Sequence, residues 1–138
     1  MNKIRLGIIT TLVAGVMLAA SASARECDGE SELLKLKISV TGDQPDKVKD
    51  KDGEDAEDFS VCVDDVIEWK LVGQARQFFV DFGDRAPFSV ESDGKHKKNS
   101  RNGKIMVIVT GPASDEPYKY DIGLEDGGVW DPRIKVED

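Results

Sequence analysis

The 138-residue chain carries 19 Lys and Arg against 27 Asp and Glu, a net charge of −8 at neutral pH. A surface of that sign repels nucleic-acid phosphates and anionic lipid heads, so neither is expected as a partner. The length suits one domain with a modest core.

Residues 1–24 read as a cleaved signal peptide. Lys3 and Arg5 precede an apolar stretch from Leu6 to Ala20, and Ala22-Ser23-Ala24 supplies a small-x-small cleavage site. The stretch is short of the roughly 20 apolar residues that span a bilayer. No stable membrane anchor is therefore expected after cleavage. Ala24-Arg25-Glu26 before Cys27 does not fit a lipoprotein box. The expected product is residues 25–138, one domain in the periplasm or outside the cell. Without Lys3 and Arg5, 17 basic residues face 27 acidic ones, a net charge of −10.

Cys27 and Cys62 are the two cysteines, and an oxidising compartment favours one intramolecular disulfide between them. Closing a loop of about 36 residues stabilises a fold by roughly 3–4 kcal/mol on chain-entropy grounds. A redox pair or metal thiolates fit poorly, because the two are far apart and neither has a neighbouring His.

Leu34, Leu36, Ile38 and Val40 alternate with polar residues, the period of a strand with one wet face. Residues 43–58 break all periodicity and predict a long acidic surface loop. Phe59, Val61 and Val63 form a second alternating run, and Ile67, Trp69 and Leu71 a third. Their junction is Asp64-Asp65, and Cys62 points away from the apolar face. Phe78, Val80 and Phe82 predict the next strand. A basic stretch, Lys95 to Lys104, follows. Ile105 to Val109 is apolar without a gap, as in a central strand buried on both faces. Tyr118, Tyr120, Ile122 and Leu124 alternate again, Gly127-Gly128 predicts a tight turn, and Ile134 and Val136 close the chain. No helical period of useful length occurs in residues 25–138. The expected fold is an all-β antiparallel Greek-key β-sandwich of about seven strands.

The order and residues of these strands resemble the cupredoxin family. Phe59 to Trp69 resembles its paired valine-rich strands. Phe78 to Phe82 resembles the strand bearing its first copper-ligand His, Tyr118 to Ile122 the strand bearing its ligand Cys, and Asp131 to Val136 its closing strand. A type 1 copper site needs two His, a Cys thiolate and usually an axial Met. Laying the family pattern on this chain puts Phe78 and Ile122 at the first His and the Cys, Glu125 near the second His and Trp130 near the Met. The resemblance thus implies a cupredoxin-like domain with no copper cofactor, its old pocket filled by apolar core.

Other constellations carry less. The carboxylates Asp50, Asp52, Glu54, Asp55, Glu57 and Asp58 are a lure for calcium. The EF-hand pattern nevertheless fails, because anchoring it on Gly53 puts Val48 and Phe59 at its first and last positions. Lys95, His96, Lys97, Lys98, Arg101 and Lys104 form the one basic block. They are the candidate partner-binding residues for an anionic protein or a cell-envelope polymer. No aromatic residue interleaves them, so base stacking is unsupported. No catalytic residue is assigned, because the single mature-chain His has no nucleophile partner nearby. The expected function is a non-enzymatic interaction module. The alternatives are a weak calcium or copper handler built from the acidic loop and His96, and a small hydrolase with scattered carboxylates.

Overall fold

The computed structural model describes residues 25–89 and 95–138. The signal-peptide expectation and Gly94 lie outside them. Among the described residues there are eleven strands and no helix. They are β1 (Leu33–Thr41), β2 (Gln44–Lys49), β3 (Asp58–Cys62), β4 (Val66–Leu71), β5 (Phe78–Asp81) and β6 (Lys97–Asn99). These are followed by β7 (Lys104–Ile108), β8 (Tyr118–Lys119), β9 (Asp121–Leu124), β10 (Val129–Trp130) and β11 (Arg133–Glu137). Sheet 1 has the order β2-β1-β4-β7, sheet 2 β10-β9-β5-β6 and sheet 3 β3-β11-β8. β8 and β9 are separated by Tyr120 alone, so one stretch of chain carries sheet 3 into sheet 2.

The alternating runs become strands because alternation puts every second side chain on one face. Leu36 and Ile38 of β1, Ile67, Trp69 and Leu71 of β4, and Ile105 and Val107 of β7 are buried from sheet 1. Phe78, Val80, Ile122 and Leu124 come from sheet 2, and Val61, Tyr118, Ile134 and Val136 from sheet 3. All belong to one buried cluster. Its aromatic centre is Trp69, whose indole Nε1 donates to the Tyr120 hydroxyl at 3.3 Å. Phe82 stacks on Tyr120 with centroids 4.8 Å apart, and Phe88 meets Phe82 edge-on at 5.1 Å. Burial pushes the Tyr120 phenol far above its ordinary range, and the Trp69 hydrogen bond only partly offsets this. The phenol stays neutral and serves packing.

Four expectations need correction. The strand number is eleven because the run from Tyr118 to Leu124 divides into β8 and β9 in two different sheets, and because a pairing as short as the two-residue β10 leaves no periodic signal. The sheets are mostly but not wholly antiparallel: β1 runs parallel to β4, and β3 parallel to β11. Residues 43–58 are not all loop, since Gln44–Lys49 pairs with β1 and buries Pro45 and Val48. Only two inward positions are apolar there, too few to show in a run of charges. Finally, β7 is an edge strand of sheet 1, not a central one. Its outward Met106 and Ile108 are 48% and 59% exposed. A short continuous apolar run does not by itself report which faces are covered.

The N-terminal segment is fastened at one buried point. Cys27 and Cys62 form a disulfide across 35 residues. Cys62 is buried but outside the core cluster, so the bridge ties residues 25–32 to the outer side of β3. Beside it, Asp65 is fully buried. Its carboxylate accepts from Arg25 Nε at 2.7 Å and Nη2 at 2.9 Å, and from the amides of Cys62 at 2.8 Å and Glu32 at 2.9 Å. Asp64 before it takes φ 75°, which turns the chain sharply from β3 in sheet 3 to β4 in sheet 1.

Gly123 illustrates a different constraint. It lies opposite Phe79 across β5 and β9, and a Cβ there would sit 2.2 Å from the Phe79 ring. Gly123→Val is expected to expel that ring and to lower stability by about 1–3 kcal/mol. Urea denaturation checks this, and an unchanged midpoint would show that Phe79 is not held over the glycine.

Candidate functional site: a basic cleft

β6 is the edge strand of sheet 2 and β7 the edge strand of sheet 1, and the chain between them turns at Asn102-Gly103. Both turn residues have positive φ, 53° and 77°. That is the turn whose twist suits a two-residue hairpin, and Asn-Gly is the pair that adopts it at least cost. Arg101 and Lys104 consequently exchange both backbone hydrogen bonds, at 2.9 and 3.2 Å, and face each other directly.

An open cleft of about 620 Å³ lies along this hairpin. Among the described residues Lys97, Lys98, Arg101 and Lys104 line it, together with the side-chain amides of Asn99 and Asn102 and with Met106, and no carboxylate does. Lys97 Nζ sits 4.2 Å from the Phe79 ring centroid, and Lys98 Nζ 5.5 Å from that of Phe88. Each ring attracts the ammonium over its face. Phe79 in turn rests over Gly123, so the bare strand position supports the platform that places Lys97.

Four of the six candidate residues are therefore brought together. Lys95 is exposed and does not line the cleft. His96 is half-buried and also outside it. Its Nδ1 meets the Gly83 carbonyl, its ring is edge-on to Phe88 at 6.2 Å, and its own carbonyl accepts from the Phe82 amide. His96 pins the start of β6 to the 82–83 turn. The amides of Asn99 and Asn102 and the Phe79 platform were not singled out from the sequence. Asn-Gly ahead of an apolar run is the one local signal that pointed to a hairpin there.

Within the acidic segment the carboxylates serve their own backbone. Asp50 accepts from the amides of Asp52 and Glu54, and Asp55 from that of Glu57. Asp58 pairs with Arg133 at 2.7 Å. Among the described residues no three His, Cys, Asp or Glu are grouped to share a cation. A second depression of about 340 Å³ near Arg85 is mixed in charge, with Asp84, Glu116, Lys119 and Arg133 at its walls. Arg85 is already engaged there, 3.8 Å over the Tyr118 ring and bonded to the Pro117 and Glu116 carbonyls and the Ser114 hydroxyl.

No protein-family model matches this chain, and no curated protein matches it either.

Proposed function

We propose that this chain is an exported, non-enzymatic binding module that engages an anionic partner through the basic cleft between β6 and β7. The observation that carries this reading is that four cations, and no carboxylate among the described residues, line one cleft in a chain of net charge −8. Opposite charge concentrated on one face of an acidic protein steers and orients an anionic ligand, while the remaining surface repels it. The cleft offers point charges and amide donors, the equipment of recognition.

The architecture we assign is the copper-free cupredoxin-like sandwich. Phe78 and Ile122, at the positions of the first His and the Cys, are fully buried on the neighbouring strands β5 and β9. Trp130 is directly opposite Ile122 across β9 and β10, and Glu125 is exposed. Apolar core at these places is what a filled copper pocket entails. Export is supported by the disulfide and by the three-part pattern of residues 1–24.

Retention on a sulfonate cation exchanger at neutral pH and low salt tests the cleft. An evenly acidic protein passes through such a matrix. This chain is expected to be held, and Lys97→Glu/Lys98→Glu to flow through while still unfolding cooperatively. Passage of the wild-type protein in the void volume would contradict the reading.

A further inference from the structure

The strand register extends the basic cleft far beyond the hairpin. Arg101 lies opposite Lys104, Lys104 opposite Lys70, Lys70 opposite Lys37, and Lys37 opposite Lys49. Five cations from five successive strand positions thus form one row, which begins in the cleft and crosses the outer face of sheet 1. All five are exposed. None forms an ion pair among the described residues. At the far end, Lys49 faces Asp55. Neighbouring strands are about 4.8 Å apart, so the row is about 19 Å long. Like charges held directly opposite each other oppose sheet formation. The fold keeps four such juxtapositions in succession.

We propose that this row is the binding track for a linear acidic polysaccharide, one end of which enters the cleft. The proposal rests on the reading of the cleft as an anion site and names its ligand class. Charge complementarity is the main support: an evenly spaced line of cations fits a chain that carries single negative charges along its length. Lysine dominates the row, and its compact, well-hydrated ammonium suits separate carboxylates in a wet groove better than paired phosphate oxygens. The flanking rows are mixed, with Lys35, Glu68 and Met106 on one side and Ser39 and Lys47 on the other. A lipid surface would have to cover Glu68 as well. No outward position of the four strands is aromatic, so neither base stacking nor an interfacial anchor is provided. An acidic β-strand presents same-face carboxylates every ~6.8 Å and would drift out of register with the row.

Binding of fluorescent polygalacturonate and of trigalacturonate to residues 25–138 separates the track from the cleft. Lys37→Gln/Lys70→Gln is expected to weaken polygalacturonate binding about tenfold, through two exposed ion pairs lost, and to leave trigalacturonate unaffected. Lys97→Glu/Lys98→Glu is expected to weaken both. The track variant should also unfold at or above the wild-type temperature, because it removes a like-charge pair. Wild-type polymer binding by the track variant would overturn the track while leaving the cleft in place. Loss in neither variant would overturn both. Tighter wild-type binding to phosphatidylglycerol vesicles or to polyglutamate than to polygalacturonate would overturn the polysaccharide.

Discussion

Asp65→Ala is expected to destabilise the domain by about 3–5 kcal/mol, the cost of breaking a buried ion pair from one side. The carboxylate is fully buried and accepts four hydrogen bonds, two from Arg25 and one each from the Cys62 and Glu32 amides. Its removal leaves two amides without their acceptor and the guanidinium, itself only 16% exposed, with the exposed Glu32 carboxylate at 3.0 Å as its one remaining ion-pair partner. The same group ties three pieces of chain together: residues 25–32, the end of β3 and the start of β4. Urea denaturation of Asp65→Ala, Arg25→Ala and the double variant measures the coupling. The double variant should lose less than the sum of the single ones, because the second removal no longer strands a buried charge. Simple additivity would show that the clamp is not a unit.

The clamp also sets a pH dependence. Burial works to raise the Asp65 pKa, but the Arg25 hydrogen bond and the Cys62 and Glu32 amides outweigh it and hold the group below the usual carboxylate range. A depressed folded-state pKa means that the stabilisation is complete above the unfolded value of about 3.9 and is lost as pH falls through the folded one. Asp121 behaves oppositely. Burial, then the charges of Asp81 opposite it and of Asp131, raise its pKa. Its ionisation therefore costs stability above its raised value, and protonation relieves that cost as pH falls. Asp121→Asn should consequently flatten the gain on mild acidification, and Asp65→Asn the loss in stronger acid.

Opening the disulfide is the second large effect. Cys27→Ser/Cys62→Ser is expected to lose roughly 3–4 kcal/mol from the unfolded-chain entropy of the 35-residue separation. The bridge and the clamp hold the same segment, so the two losses should not add. Without the bridge, residues 25–32 are held by the Arg25 and Glu32 contacts to Asp65 and by the Glu32 carbonyl, which accepts from the Val66 amide. Thermal unfolding of the wild-type protein with and without reductant provides the measurement. An unchanged midpoint on reduction would mean that the clamp by itself secures the segment.

Much of the sheet content was legible because alternation writes itself into sequence. Leu34 to Val40 lies within β1, Phe78 to Asp81 is β5, and Tyr118 to Leu124 became β8 and β9 in two sheets, with Phe78, Val80, Tyr118, Ile122 and Leu124 buried as expected. What was not legible depends on partners distant in the chain. Whether Ile105 to Val109 is central or at an edge is decided by what lies beyond β7, and among the described residues no strand pairs there. Pro45 and Val48 are an exception: their partners Val40 and Ile38 lie just across the Gly42-Asp43 turn, but two apolar positions in a run of charges make no visible period. The cationic row is the extreme case: Lys37, Lys49, Lys70 and Arg101 come from four separate parts of the sequence, and only the pairings of β1 with β2 and β4, of β4 with β7 and of Lys104 with Arg101 align them. The basic block itself was visible as composition. Which of its six residues share the cleft was not, since contacts between His96 and the 82–83 turn hold that side chain away from it.

The most direct test of anion recognition at this hairpin is a titration of isotope-labelled residues 25–138 with trigalacturonate, followed through backbone amide resonances. The account predicts salt-sensitive shifts concentrated at Lys97 to Met106 and on Phe79 beneath them. Shifts centred on Arg85, Glu116 and Arg133 instead, or none at low salt, would contradict it.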